Sequence, residues 1–220
     1  MDRRVFIKGA LIGLVGGRVS IAGAQTDAPV ASPVGSISPN STMALMGLPT
    51  KASLVTLIDR ARAALDVSSE RFLLRDRIAV ADFSLASSQL RFHIVDLVAG
   101  KAVSYLVAHG LGSDPTHSGF LQTFSNEPGS EATSEGAYLT SEIYDGTHGP
   151  SMRLIGLDAT NNNAEIRAIV VHAAPYVSED HIAVWGKAGR SNGCFAVAPH
   201  LITQVLGLLG PGRLLFAAKA

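Results

Sequence analysis

The chain has 220 residues, 47% hydrophobic and 16% charged, which supplies enough apolar side chains for one sizeable core and excludes disorder over most of the length. Eighteen Lys and Arg balance eighteen Asp and Glu, so no basic footprint for nucleic acid is present. The single cysteine, Cys194, excludes an internal disulfide and a Cys-rich metal site, and leaves at most one thiol nucleophile.

The chain opens Met1-Asp2-Arg3-Arg4-Val5-Phe6-Ile7-Lys8, followed by a weakly apolar run over residues 9–17 and then Ala22-Gly23-Ala24. A positive start, a short apolar stretch and small residues at a cut site make a signal-peptide pattern covering residues 1–24. Arg3-Arg4 with Phe6 resembles a twin-arginine export signal, which a receptor reads and which is not an anchor. The apolar run falls well short of the roughly twenty residues that span hydrocarbon, so the cleaved chain is expected to be periplasmic with no stable membrane span. Cleavage removes four basic groups and one acidic group, leaving 14 against 17 and a net charge of −3. Free thiols are uncommon in such a compartment, which singles out Cys194.

Residues 25–49, rich in Ala, Ser, Pro, Asn and Thr, read as a flexible tether. Leu54, Leu57, Ile58, Ala61 and Leu65 then recur at steps of three and four, predicting an amphipathic helix over residues 50–66. Beyond Arg75 the period becomes β-like. Strands are expected over 77–84, 90–97 and 102–109, the last two joined as a hairpin through Ala99-Gly100-Lys101. Residues 110–134 are too long for a simple connection and read as a functional or flexible loop. Further strands are expected over 136–143, 151–157 and 165–172, a lid-like loop over 176–187, a helix over 199–209 stopped by Gly210-Pro211-Gly212, and a closing strand over 213–218. Six or seven strands with few helices predict a mostly-β single domain, a curved sheet or a sandwich, spanning residues 50–220.

Ile169-Val170-Val171-His172 reads as a buried strand delivering a histidine at its end, and Gly189-Arg190-Ser191-Asn192-Gly193-Cys194 delivers the thiol after a tight polar turn. A thiol is a strong nucleophile only as thiolate, and a nearby imidazole can take its proton. Gly193 allows backbone N–H groups, its own and that of Cys194, to approach a developing oxyanion. A lone Cys is commonly just a small buried hydrophobe and a lone His a satisfied structural residue; the polar turn before Cys194 is what favours chemistry. His109 reads as a hydrogen-bonded turn residue, and His93, His117, His181 and His200 carry no motif. Neither a metal-ligand spacing nor a phosphate-binding loop is found, so no cofactor and no metal are expected.

A strand ending in His172, a loop, then Ser191-Asn192-Gly193-Cys194 resembles the signature of the YkuD-type L,D-transpeptidases, which cross-link murein, and is closest to their murein L,D-transpeptidase catalytic domain subgroup. Val107-Ala108-His109-Gly110, Phe124-Ser125-Asn126, Ser134-Glu135-Gly136-Ala137-Tyr138, Tyr144-Asp145-Gly146-Thr147-His148-Gly149, Ser151-Met152-Arg153-Leu154 and the run from Arg167 to His172 agree with that subgroup, over about residues 70–220. The broad family has Ser-His-Gly-Cys followed by an apolar residue and Arg; here Asn192 replaces the histidine, Ala196 replaces the arginine, and Arg190 stands as a substitute charge.

The resemblance implies a mostly-β L,D-transpeptidase domain in which Cys194 forms a thioester with peptidoglycan stem peptides, His172 is general base and Gly193 helps hold the oxyanion. It implies substrate-binding roles for Arg190, Ser191 and Asn192. Arg153, Tyr144 and His148 are expected either to bind stem-peptide carboxylates or to hold their loop. It also implies sensitivity to carbapenem-type inhibitors. Two alternatives stay open: an L,D-carboxypeptidase or other murein thiol hydrolase, and a non-catalytic wall-binding module of the same fold.

Overall fold

A computed structural model describes residues 51–220. The export signal expected over residues 1–24 and the tether over 25–49 lie outside the described residues. The chain enters as helix α1 (Lys51–Val67), on which Leu57, Ala61 and Leu65 repeat every four residues and are buried. That stripe covers Ile78 and Val80 of strand β1 (Arg77–Asp82) and Leu214 and Phe216 of the last strand, β8 (Leu214–Ala218).

Between β1 and β8 come strands β2 (Phe92–Asp96), β3 (Lys101–Tyr105), β4 (Gly136–Gly146), β5 (Gly149–Gly156), β6 (Val170–Ala173) and β7 (Phe195–Val197), with helices α2 (Glu179–Trp185) and α3 (Ile202–Leu209). All eight strands join one sheet in the order β3-β2-β1-β8-β4-β5-β6-β7, so of the two expected arrangements the single sheet is the observed one. β1 and β8 run parallel at its centre, and both are apolar on both faces because both faces are covered. Ile78, Val80, Leu214 and Phe216 face α1, while Ala79, Ala81, Leu215 and Ala217 face the main core with Ile202, Val205, Leu206 and Leu209 of α3. Burying the four apolar side chains of α3 contributes roughly 1.5–3 kcal/mol each.

The differences from the sequence reading have local causes. The strand expected over 102–109 stops at Tyr105; the chain then crosses to the opposite edge of the sheet, where the Ala108 N–H bonds the Ala196 carbonyl at 2.9 Å. Residues 165–169 are not strand. Asn161, Ala164, Arg167 and Ala168 donate backbone bonds three or four residues back, and Ala168 takes φ +52°, so an Asn-rich pair of turns precedes a strand of only four residues. The lid-like loop contains α2, capped by Ser178, whose side chain accepts from the His181 N–H at 3.1 Å. β7 is three residues long, too short for a period-2 signal to register.

Candidate active site

β6 and β7 lie side by side, parallel, with Val171 opposite Phe195 and His172 opposite Ala196. Val171 and Phe195 both point into the main core. Side chains alternate along strands, so His172 and Cys194, two residues before Ala196, fall together on the other face. A cavity of about 460 Å³ opens there, lined by Cys194, His172, Tyr144, His148, Arg190, Ser191 and Asn192, seven of the nine residues singled out in the sequence. Gly193 and Arg153 do not line it.

His172 is 4% exposed. Its Nδ1 lies 2.8 Å from the Ala173 carbonyl, an acceptor only, so the proton is assigned to Nδ1 and Nε2 is left with its lone pair. The ring of His148, carried by the two-residue turn between β4 and β5, stacks on that of His172 with centroids 4.5 Å apart. Burial holds the His172 pKa below its ordinary value; the Ala173 bond opposes this and the charge of His148 adds to it. His172 is therefore neutral at neutral pH, the state a base requires.

Cys194 is partly buried and its thiol lies 3.5 Å from the Ala168 carbonyl. Burial pushes the thiol pKa up, while the Val170 N–H and the charge of Arg167 pull it back. The resting pair is thus thiol and neutral imidazole rather than thiolate and imidazolium.

The turn before Cys194 is fixed from within and from outside. Ser191 Oγ accepts from the Gly193 N–H at 3.2 Å and donates to the Cys194 carbonyl at 2.7 Å. Ser191 N–H donates to the His109 carbonyl, and the Leu111 N–H to the Ser191 carbonyl. Gly193 has φ +109°, and a Cβ there would sit 2.6 Å from the Ala132 carbonyl oxygen and 2.8 Å from Ile169 Cδ1, so only glycine fits. The Gly193 N–H is held by Ser191 Oγ, and the backbone conformation of Gly193 fixes the turn that presents Cys194.

His109, the anchor of this turn, belongs to a buried chain of polar groups. Fully buried Arg91 donates to the Val107 carbonyl and to His109 Nδ1 at 2.8 Å, and His109 Nε2 faces Asp114 Oδ2 at 3.3 Å. The Nδ1 contact with a guanidinium makes Nδ1 an acceptor and puts the ring proton on Nε2.

Two expectations need correction. Arg153 is exposed, paired with Glu142 at 2.5 Å and laid over the ring of Tyr144 at 4.3 Å, so it backs a cavity wall and does not enter the cavity. Arg190 lines the cavity but its Nη1 donates to the Asp114 and Pro115 carbonyls. The charge acting on the thiol is that of Arg167. In the sequence Arg167 is visible only as part of a motif, because a continuous strand over 165–172 hides the turn at Ala168 that delivers its side chain to the cavity; the run Asn161-Asn162-Asn163 is the signal of that turn. Tyr176, also on the wall, is admitted by Gly189, where a Cβ would meet the Tyr176 ring at 2.7 Å.

Residues 51–218 match the model of the L,D-transpeptidase catalytic domain. The chain belongs to that family. Among solved structures it is similar to an L,D-transpeptidase from Mycobacterium smegmatis, at 12% identity and TM-score 0.39 over 66% of this chain and 59% of that one. It is likewise similar to an L,D-transpeptidase from Mycobacterium tuberculosis, at 16% identity and TM-score 0.37 over 66% and 58%. A third, L,D-transpeptidase 3 from Mycobacterium tuberculosis in complex with a faropenem-derived adduct, gives 16% identity and TM-score 0.35 over 66% and 60%. The chain thus spans less than two thirds of the length of these structures. No curated protein sequence matches.

Proposed function

We propose that this domain is a peptidoglycan L,D-transpeptidase working through a thioester on Cys194. The observation that carries the reading is the shared face of β6 and β7, on which a neutral imidazole with a free Nε2 and the chain's one thiol line the same cavity. In the first half-reaction His172 Nε2 takes the thiol proton and the sulfur attacks a stem-peptide carbonyl. The tetrahedral intermediate collapses with protonation of the leaving amine by the imidazolium, leaving an S-acyl bond and a neutral His172. In the second, the amine of a neighbouring stem attacks the thioester, His172 accepts its proton and returns it to the departing sulfur. Water in place of the amine gives the carboxypeptidase outcome.

Residues 1–24 are an export signal of the twin-arginine type, residues 25–49 a tether, and the domain acts in the periplasm on the wall. It belongs with the subgroup that lacks the second histidine, and carbapenem-type inhibitors acylate Cys194. Arg190, Ser191, Asn192, Tyr144 and His148 line the cavity and contact the stem peptide.

The test is muropeptide analysis of purified sacculi incubated with the full chain, together with mass spectrometry after carbapenem treatment. New cross-links and a single acyl adduct are expected, and both are lost in Cys194→Ala. Cross-linking that survives in Cys194→Ala overturns the mechanism; shortened stems without cross-links move the protein to the hydrolase class, and neither product with no adduct leaves a wall-binding module.

A further inference from the structure

Among the described residues the charged side chains lining the cavity are Arg167 and Arg190, with no Asp or Glu, in a chain whose charge over residues 25–220 is net acidic. A wall of one sign selects a ligand of the other. Of these two cations Arg167 is the one whose charge acts on the thiol. Five other arginines, Arg60, Arg75, Arg77, Arg153 and Arg213, reach a carboxylate, whereas the cavity's Arg167 and Arg190 reach none among the described residues. Its guanidinium is held by neutral oxygens: Nη1 donates to the Ser125 carbonyl at 2.8 Å and to Ser134 Oγ at 2.5 Å, and Nη2 donates to the Ala132 carbonyl. Of the five N–H donors a guanidinium carries, Nε–H and one on Nη2 have no partner among the described residues. Nε–H with an Nη2–H is one of the donor pairs a carboxylate takes side by side. The head also abuts the thiol turn: a Cβ on Gly193, the residue before Cys194, would lie 3.2 Å from Arg167 Nη2.

We propose that Arg167 reads a carboxylate on the acyl donor, carried within about one residue of the carbonyl that Cys194 attacks. The proposal rests on the transpeptidase reading only for the identity of the donor as a stem peptide. Such a carboxylate has two sources, the C-terminus of the residue that leaves, or the side-chain end of the diamino acid at the scissile bond. Amidation of the correct one removes the charge that the guanidinium fork meets and leaves its donors facing a group that is half donor. Arg167 thereby makes the enzyme selective for donors unmodified at that position, a role that Arg153 cannot fill from outside the cavity.

The test is calorimetric binding to the full chain carrying Cys194→Ala, which holds the donor without acylation. Three probes are compared: a stem tetrapeptide, the same peptide amidated at its C-terminus, and the same peptide amidated on the diamino-acid side chain. One amide is expected to bind at least about tenfold more weakly than the acid, and which one identifies the source. Adding Arg167→Gln should bring acid and amide to the same affinity, and Arg167→Lys should restore part of the difference. Equal binding of all three probes to the Cys194→Ala chain overturns the proposal, and this comparison requires no change at Arg167. An acid-to-amide ratio that persists in folded Arg167→Gln overturns it equally. The two readings fail separately: sacculi cross-linked by an enzyme that ignores amidation sink this inference alone, whereas acid-selective binding without any cross-linking sinks the transpeptidase reading alone.

Discussion

Burial and charge make opposite demands on Cys194. Desolvation keeps the proton on sulfur, and the Val170 N–H and Arg167 act against it. Desolvation likewise keeps the proton off His172. Each group is thus stored in its neutral form, and proton transfer from Sγ to Nε2 has to accompany attack on the substrate rather than precede it. Alkylation of the free enzyme by iodoacetamide therefore measures a thiol, not a standing ion pair. The rate is expected to climb continuously with pH through a midpoint above the ordinary thiol range, with no plateau on the acid side. In Arg167→Gln the midpoint should move higher still, because a cation facing the thiolate is lost. A plateau of reactivity between about pH 5 and 7 would mean a preformed thiolate–imidazolium pair and contradict this account.

At the scale of elements, β6 carries His172 and three connections set the groups around it. The turn at 190–194 sets the thiol, the two-residue turn between β4 and β5 sets His148 against His172, and the turns over 158–168 set Arg167. Gly193 is the sharpest test of the first. Gly193→Ala meets the Ala132 carbonyl and Ile169, and forces a left-handed φ on a residue with a side chain. A loss of about 1–3 kcal/mol in stability is expected from chemical denaturation, and carbapenem acylation should slow by about tenfold or more through displacement of the sulfur. Wild-type acylation by a Gly193→Ala chain would show the turn to be less constrained than its contacts require. The same division explains what the sequence made legible. Periodicity revealed α1, α3 and most strands because each buries a regular stripe, and His172 and Cys194 stood out as chemical groups at the ends of such runs. Arg167, Tyr176 and β7 did not, since their placement depends on an αL residue, a side chain admitted by Gly189, and a pairing between strands distant in sequence, none of which leaves a repeating pattern.

At the scale of the molecule, the thiol turn hangs on a buried polar chain, so acid should loosen the fold and the site together. Burial and the neighbouring Arg91 charge hold the His109 pKa down to about 4, against the partial support of Asp114. The unfolded chain, with His109 near the ordinary histidine value of 6.5, binds a proton that the folded chain refuses between these two values. Stability from this group is complete above about pH 6.5 and falls as pH drops toward 4, by an upper limit of about 3 kcal/mol. His93 and His172, whose pKa values are also lowered mainly by burial, add to the slope in the same direction. Asp114 acts lower on the scale: although burial opposes its charge, N–H donors from Ser118 and Gly119 hold its pKa below the ordinary carboxylate value. Its contribution is present above the unfolded value and is lost only as pH falls through the folded one. Urea midpoints measured from pH 7 to 4 should therefore decline steadily. His109→Gln, which cannot take up a proton, should be less stable at pH 7 but show a shallower decline over that interval. An equal slope in the two proteins would mean that His109 does not titrate between fold and unfolded chain, and that the anchor of the Ser191 turn owes its stability to Arg91 and the backbone alone.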